Sequence, residues 1–175
     1  MDLNDAMVAG AVARTRVWQY MAADDQAARD KLRSKIADND KTAETAFAHY
    51  EKENIADETD RKLFGEVRKS YTDFTELRKK IMALSDEGKR DEARDFLMAN
   101  QAIPEKMAEA FKADYDYNVK LGQDAATAAR ASVRTAFIIA VSVSLAAIVL
   151  IAVMGISLTR KIVSSLDYSV DIAET

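Results

Sequence analysis

One stretch of the chain is too apolar for the surface of a small soluble domain. Residues 135–158 read TAFIIAVSVSLAAIVLIAVMGISL, which is 24 residues without a charge. As an α-helix this length covers roughly 36 Å, enough to cross the ~30 Å hydrocarbon core of a bilayer with some tilt. The alternative is a buried core helix, but the rest of a 175-residue chain could not cover it on every side. The sequence therefore predicts a transmembrane helix at 135–158.

Glycine and proline, the residues that usually punctuate turns and sheets, are rare in this chain. There are five Gly and one Pro in 175 residues. Chain breakers spaced so widely indicate long helices. The alternation of β-branched and polar residues that a half-buried strand needs is nearly absent before Thr135. The sequence therefore predicts an all-α fold.

The ionisable residues argue against several classes of function. The net charge is −4, whereas binding to nucleic acid needs clustered positive charge, so we expect no nucleic acid partner. The absence of Cys excludes thiolate metal sites and a Cys nucleophile, and the single His, His49, argues against most zinc sites and against His-dependent triads. The 29 Asp and Glu residues stand among Lys and Arg, as on solvated helix faces. We therefore expect no enzyme activity, no metal and no cofactor.

The first two predicted helices are separated by an acidic pair. The first covers about residues 2–22, and its apolar line advances by alternating steps of four and three residues through Leu3, Met7, Gly10, Arg14, Val17 and Met21. Asp24 and Asp25 then open the second helix, because carboxylates suit the positive end of a helix dipole.

The third and fourth predicted helices have clearer ends. Asp57 is a plausible N-cap for the third, with a second carboxylate three residues on. Gly88 can take the left-handed conformation that ends many helices, and the fourth helix starts at about Lys89. Pro104 should kink this helix or mark a break. Short turns between long helices predict an antiparallel four-helix bundle that continues into the transmembrane helix.

Two segments of this bundle carry a resemblance to a known family. They are DETDRKLFGEVRKSYTDF at 57–74 and IMALSDEGKRDEARDFL at 81–97. An acidic cap, a Leu-Phe pair, a following aromatic residue and a short turn into the last helix resemble the four-helix-bundle sensor domain of methyl-accepting chemotaxis receptors. The spacing agrees over about 40 residues and the general layout over about 120.

Residues 159–175 are similar to the opening helix of a HAMP linker, the module that often follows such a span. Lys161 and Ser165 stand where that helix usually has proline. The matching residues are Arg160, Ile162, Leu166, Ile172 and Ala173.

The resemblance implies a location. In this family the bundle lies in the periplasm between two spans, so we expect a bacterial inner-membrane receptor with residues 1–134 outside and the C-terminus in the cytoplasm. Residues 1–20 contain no apolar run like a signal peptide or anchor, which implies an upstream first span and a truncated first helix. Basic residues flank the span equally, so the positive-inside rule does not settle the orientation.

The resemblance also implies partners. We expect a homodimer in contact with membrane lipid, and a small organic acid or amino acid, or a ligand-loaded periplasmic binding protein, as the stimulus. Kinase coupling would need a cytoplasmic region beyond these 175 residues. Two alternatives are the sensor region of a histidine kinase or cyclic-dinucleotide enzyme, and a membrane-anchored helical scaffold without a ligand.

Arginines near the apolar lines are the candidate ligand-binding residues. Arg14 falls on the line of the first helix, where an unpaired guanidinium would be costly, and Arg16 points to a flank. The resemblance implies ligand contacts from arginines late in the first helix, at places comparable to these two.

A second set of candidates lies on the third helix. Arg68, Tyr71 and Arg78 share a face, and a guanidinium beside a phenol can hold a carboxylate. For every one of these arginines, an intramolecular or dimer-interface salt bridge is the alternative and the commoner arrangement.

Overall fold

The protein is all-helical in the computed structural model, which describes the secondary structure of residues 3–173 and the side-chain surroundings of residues 3–161. The described residues are helical apart from short turns, and they contain no strand. The predicted fold class is therefore confirmed. The helices are α1 (Leu3–Ala22), α2 (Gln26–Glu53), α3 (Glu58–Asp86), α4 (Arg90–Ala99) and α5 (Ala102–Ala173).

The fourth predicted helix is broken into α4 and α5. Asn100 ends α4, where its side-chain amide donates to the carbonyl oxygen of Phe96 at 2.8 Å. Pro104 lies in the first turn of α5, where the missing N–H costs nothing because first-turn N–H groups have no helical partner. The proline thus marks a break, one of the two outcomes that the sequence predicts.

The predicted helix ends are confirmed at three positions. Asp25 caps α2 by accepting from the backbone N–H of Ala28 at 2.7 Å. Asp57 caps α3 by accepting from the N–H groups of Thr59 and Asp60 at 2.8 and 2.9 Å. Gly88 has a φ of +76°, the left-handed conformation that residues with a Cβ rarely adopt.

The chain divides into two compact units, and the first ends at Leu121. Its core centres on Phe47 of α2, whose ring lies 5.2 Å from that of Tyr71 in α3 and 6.1 Å from that of Phe111 in α5. Aromatic pairs at such separations add to the energy of burial. The cluster of buried residues includes Leu3, Val17, Met21, Phe47, Tyr50, Phe64, Val67, Tyr71, Phe74, Leu77, Ile81, Leu97, Met107 and Phe111.

Helix α1 contributes a thin face to this core. Small residues are buried along it, and a Cβ added at Gly10 would meet the Phe111 ring at 3.5 Å and the Met107 methyl at 3.6 Å. Small side chains let helix backbones approach closely, which brings α1 against α5 at this level. The buried small residues of α1 are Ala6, Ala9, Gly10 and Ala13.

An ion pair with a tyrosine joins α1, α2 and α3 near the α1–α2 and α3–α4 turns. The Tyr20 hydroxyl donates to Asp86 at 2.7 Å, and Arg33 lies 2.7 Å from the other carboxylate oxygen. Burial, helped by the hydrogen bond to Asp86, raises the pKa of Tyr20 to about 12. The tyrosine therefore stays neutral at physiological pH and acts as a donor.

In the second unit, which begins at Gly122, the described residues belong to α5 up to Ala173. Among the described residues, one helix is long and apolar enough to cross a membrane. It covers Ala102–Lys161, with a mean hydropathy of 2.9 over its most apolar window, and none of that window is buried within the chain. Large apolar side chains such as Phe137 and Ile151 are about 70% exposed, as expected of a helix that lipid rather than protein would cover.

Candidate functional site

A cavity of about 230 Å³ lies at the level of the α4–α5 break. Pockets for drug-sized ligands occupy roughly 300–1,000 Å³, so this space suits only a small molecule. Four helices of the first unit contribute to its wall. The lining residues are Arg14, Val17, Trp18, Phe74, Leu97, Gln101, Pro104 and Glu105.

The break between α4 and α5 supplies one side of this cavity. Gln101 stands in the break, and Pro104 and Glu105 follow in the first turn of α5. Pro104 is buried, and its ring closes the wall while leaving no backbone donor behind. Val17 and Phe74, both buried, add apolar wall to the cavity.

The polar groups of the cavity have opposite charges. Arg14 supplies a guanidinium and Glu105 a carboxylate, and the Gln101 amide and the Trp18 indole, 46% exposed, also line the cavity. A few polar groups on an apolar wall are the usual composition of a small-molecule site. This set can take a carboxylate on Arg14 and a donor group on Glu105.

Arg14 is on the cavity but not in the core. Its side chain is exposed, while its neighbours Ala13 and Val17 are buried. The prediction that Arg14 lies on the buried line of α1 is therefore wrong. Burial of Ala6, Ala9 and Ala13 turns the helix so that the guanidinium falls at the edge of the buried face.

Arg16 lies on another side of α1. Its guanidinium donates to Asn39 Oδ1 at 2.8 Å and to the Lys35 carbonyl oxygen, both in α2. It borders a separate shallow groove with a volume of about 300 Å³. The structure therefore does not bring Arg14 and Arg16 together, and the contacts that it shows for Arg16 tie α1 to α2.

Arg68 pairs with α2. Its guanidinium lies 2.6 Å from a Glu44 carboxylate oxygen and 4.9 Å from the centre of the Phe47 ring. Both charged side chains are about half exposed, so the ion pair itself stabilises little, while the cation–π contact covers one face of the core.

Tyr71 and Arg78 meet at a carboxylate. The Tyr71 hydroxyl donates to Asp40 Oδ1 at 2.9 Å, and Arg78 Nη2 donates to Asp40 Oδ2 at 2.6 Å. Burial, reinforced by the Asp40 charge, raises the pKa of Tyr71. The guanidinium and phenol thus hold a carboxylate as their spacing predicts, but the carboxylate belongs to α2 of the same chain.

The five sequence-predicted residues are therefore dispersed. Arg14 alone lines the cavity, Tyr71 and Arg78 share Asp40, and Arg16 and Arg68 have separate partners on α2. Their role in ligand binding stays a prediction. The contacts of Arg16, Arg68 and Arg78 are of the intramolecular kind that was left open above for the arginines. Sequence reasoning passed over Asp40, Gln101 and Glu105 because charged and amide residues are frequent on solvated helix faces.

The first unit is a bundle of helices with a small cavity lined by polar and apolar side chains, and its last helix continues into an apolar stretch. Comparison with protein families shows what kind of bundle this is. The model of the four helix bundle sensory module for signal transduction matches residues 3–133. The chain belongs to this family, the four-helix-bundle sensory module of methyl-accepting chemotaxis proteins. No curated protein and no solved structure matches the chain.

Proposed function

We propose that this chain is the sensor portion of a bacterial transmembrane chemoreceptor, which detects a small molecule outside the membrane. The observation that carries the proposal is the family match over residues 3–133, followed in the same helix by a stretch apolar enough to cross a bilayer. A sensory bundle followed by such a stretch is what a receptor needs to report on the other side of a membrane.

The proposed arrangement follows the chain. Residues 1–134 form the ligand-sensing bundle in the periplasm, 135–158 cross the inner membrane, and 159–175 begin a HAMP linker in the cytoplasm. The side chains of 162–175 lie outside those that the structure describes, so the linker rests on sequence similarity. A homodimer is the proposed assembly, and the proposed signal passes to cytoplasmic signalling modules.

The cavity at the α4–α5 break is the proposed site of detection. A small organic acid or amino acid would place its carboxylate on Arg14 and its apolar part against Val17 and Phe74. Because Gln101, Pro104 and Glu105 stand at the start of α5, an occupied cavity favours one position of that helix over another. The ligand must bind the two positions unequally to produce a signal. Helix shifts of ~1–2 Å are sufficient in known switches.

Accessibility of an introduced thiol tests the topology. The chain has no native Cys, so Ser34→Cys on the exposed face of α2 gives a single reactive group. In intact cells that make the natural protein with this change, a membrane-impermeant maleimide should label it. Lys161→Cys, past the apolar stretch, is the matched control and should react only after permeabilisation. If Ser34→Cys is protected in intact cells and reacts only after permeabilisation, the bundle lies in the cytoplasm. That result would refute the receptor proposal and support the alternative of a membrane-anchored scaffold.

A further inference from the structure

Two carboxylates are buried together where α2, α3 and α5 meet, away from the cavity. Asp60 of α3 and Asp114 of α5 are both 0% exposed. Charged residues are almost never fully buried unless a partner of opposite charge accompanies them. The groups around these two aspartates therefore decide how many charges the pair carries.

The surroundings of Asp60 favour its ionised form. Its Oδ1 accepts from the Tyr50 hydroxyl at 2.7 Å and from the Asn118 amide at 3.0 Å, and its Oδ2 accepts from the Ala56 N–H at 2.7 Å. Burial opposes ionisation, but these donors together outweigh it and lower the pKa of Asp60. Asp60 is thus the permanent acceptor of the cluster.

Asp114 lacks such support. Its Oδ1 accepts only from the Asn118 amide at 3.3 Å, and its buried Oδ2 has no donor within hydrogen-bond distance among the described residues. A protonated Asp114 changes this, because its O–H can donate to the neighbouring Asp60 carboxylate. Burial first, and then the hydrogen bond and charge of Asp60, raise the pKa of Asp114 to about 7.

Groups of the neighbouring helices offer no compensating positive charge in the described part of the chain. From α2, Tyr50 faces the pair as a hydroxyl donor, and from α5, Asn118 faces it as an amide. Asp57, at the start of α3, is held by its cap and by the Tyr117 hydroxyl at 2.6 Å. Ionising both of two neighbouring buried carboxylates is unfavourable without such a charge, so the pair retains one proton until the pH approaches the raised pKa of Asp114.

We propose that Asp60 and Asp114 form a proton-binding pair that shares one proton, and that loss of this proton weakens the packing of α5 against α2 and α3. External pH would then be a second input of the sensor. The use of the pair as an input rests on the proposed function, whereas the proton site itself does not.

The direction of the effect follows from linkage. The pKa of Asp114 in the folded protein, about 7, lies above the ordinary value of 3.8, so the folded state binds the proton more tightly than the unfolded state. The contribution of Asp114 is fully present below about pH 4 and is lost as the pH rises to about 7. The contribution of Asp60 to stability has the opposite pH dependence. Because its pKa is lowered on folding, that contribution is lost as the pH falls.

A comparison of three proteins tests the pair. The full chain in lipid nanodiscs is unfolded thermally between pH 4 and 8 as wild type, Asp114→Asn and Asp116→Asn. An amide at position 114 keeps a donor for Asp60 but cannot ionise. The midpoint temperature of unfolding of the wild type, measured relative to that of Asp114→Asn, should therefore fall by several degrees as the pH rises from 4 to 8. Asp116 is exposed beside Lys112 on the same helix, and its variant should follow wild type. A constant difference between wild type and Asp114→Asn would overturn the proposal.

A measurement on the wild type keeps the test decisive if Asp114→Asn does not fold. In the full chain labelled with ¹³C at aspartate carboxyl groups, one resonance should titrate near pH 7. If every carboxyl titrates below about pH 5, as ordinary aspartates do, the proton site is refuted. Titration near pH 7 in a bundle that Ser34→Cys labelling places inside the cell would support the proton site while refuting its sensory use. The two proposals can therefore fail separately.

Discussion

The guanidinium of Arg78 and the carboxylate of Asp40 lie 2.6 Å apart between α3 and α2, and the arginine side chain is only 3% exposed. Removing one partner of a buried ion pair leaves an uncompensated charge, which costs far more than the pair itself contributes. Tyr71 shares the same carboxylate, so Asp40 accepts hydrogen bonds from two core side chains at the edge of α2.

Asp40→Ala should therefore destabilise the bundle by about 3 kcal/mol, at the low end for a buried pair because the aspartate is 32% exposed. Urea unfolding of the full chain in nanodiscs, followed by Trp18 fluorescence, gives the free energy of unfolding. Asp38→Ala, exposed two positions away on α2, is the matched control and should change the stability little. If Asp40→Ala lowers the free energy of unfolding no more than Asp38→Ala does, the ion pair does not stabilise the bundle.

Arg14 is expected to govern binding at the cavity. A thermal-shift screen of the full chain against organic acids and amino acids identifies ligands. For a carboxylate ligand, Arg14→Ala should lower the binding affinity at least about tenfold, because a charge-assisted hydrogen bond contributes about 1.5–3 kcal/mol. Arg61→Ala, exposed on α3, serves as the control. A loss of binding in Arg68→Ala alone would move the site to the α2–α3 face. Full binding by both Arg14→Ala and Arg68→Ala would discard both sites.

Trp18 gives a direct optical test of the cavity. It is the single tryptophan of the chain, is partly exposed and lines the cavity beside Arg14. A ligand that fills the space should exclude water from the indole and shift its emission to shorter wavelength. The shift should saturate at the concentration that saturates the thermal shift. Binding that leaves the emission unchanged would place the ligand elsewhere.

Close approach at Gly10 should make α1 intolerant of large side chains. Gly10→Leu would force a branched side chain toward Phe111 and Met107, and overpacking of this kind costs about 1–3 kcal/mol. Gly65 of α3 has no atom within 4 Å of an added Cβ, so Gly65→Leu should be neutral or slightly stabilising. Urea unfolding of the two variants compares the same substitution at a packed and an open position. Equal effects would contradict the packing of α1 against α5.

The apolar stretch is expected to fail as a span when a charge is placed at its centre. Leu145→Arg should cost about 3 kcal/mol of insertion free energy, whereas Leu145→Phe should insert like the natural sequence. The measurement is the fraction of protein that resists carbonate extraction from membranes. An arginine variant that is retained as well as the phenylalanine variant would argue against a bilayer-crossing helix.

Local signals in the sequence were enough to predict much of the fold. The caps at Asp25 and Asp57, the left-handed Gly88 and the break near Pro104 each depend on a few adjacent residues, and the structure confirms them. The long apolar run is likewise a property of consecutive residues.

The candidate sites were harder to predict because they depend on how helices face one another. In the sequence Asp40 looks like one more charged residue of a solvated helix face, and its role appears only when Tyr71 and Arg78 are placed opposite it. Asp60 and Asp114 belong to different helices, and no sequence motif connects them. Arg14 was misplaced because alanines, rather than large apolar residues, define the buried face of α1, and alanines occur on both sides of that helix.

The distribution of turns in the first unit sets where its length can change during evolution. An extra residue inside α4 would rotate every following side chain of that helix by about 100° and carry Leu97 out of the core. The non-helical segments at 23–25, 54–57, 87–89 and 100–101 can absorb an insertion without such a rotation. Relatives that differ in length should therefore differ at these four places, and the helices between them should keep a constant number of residues.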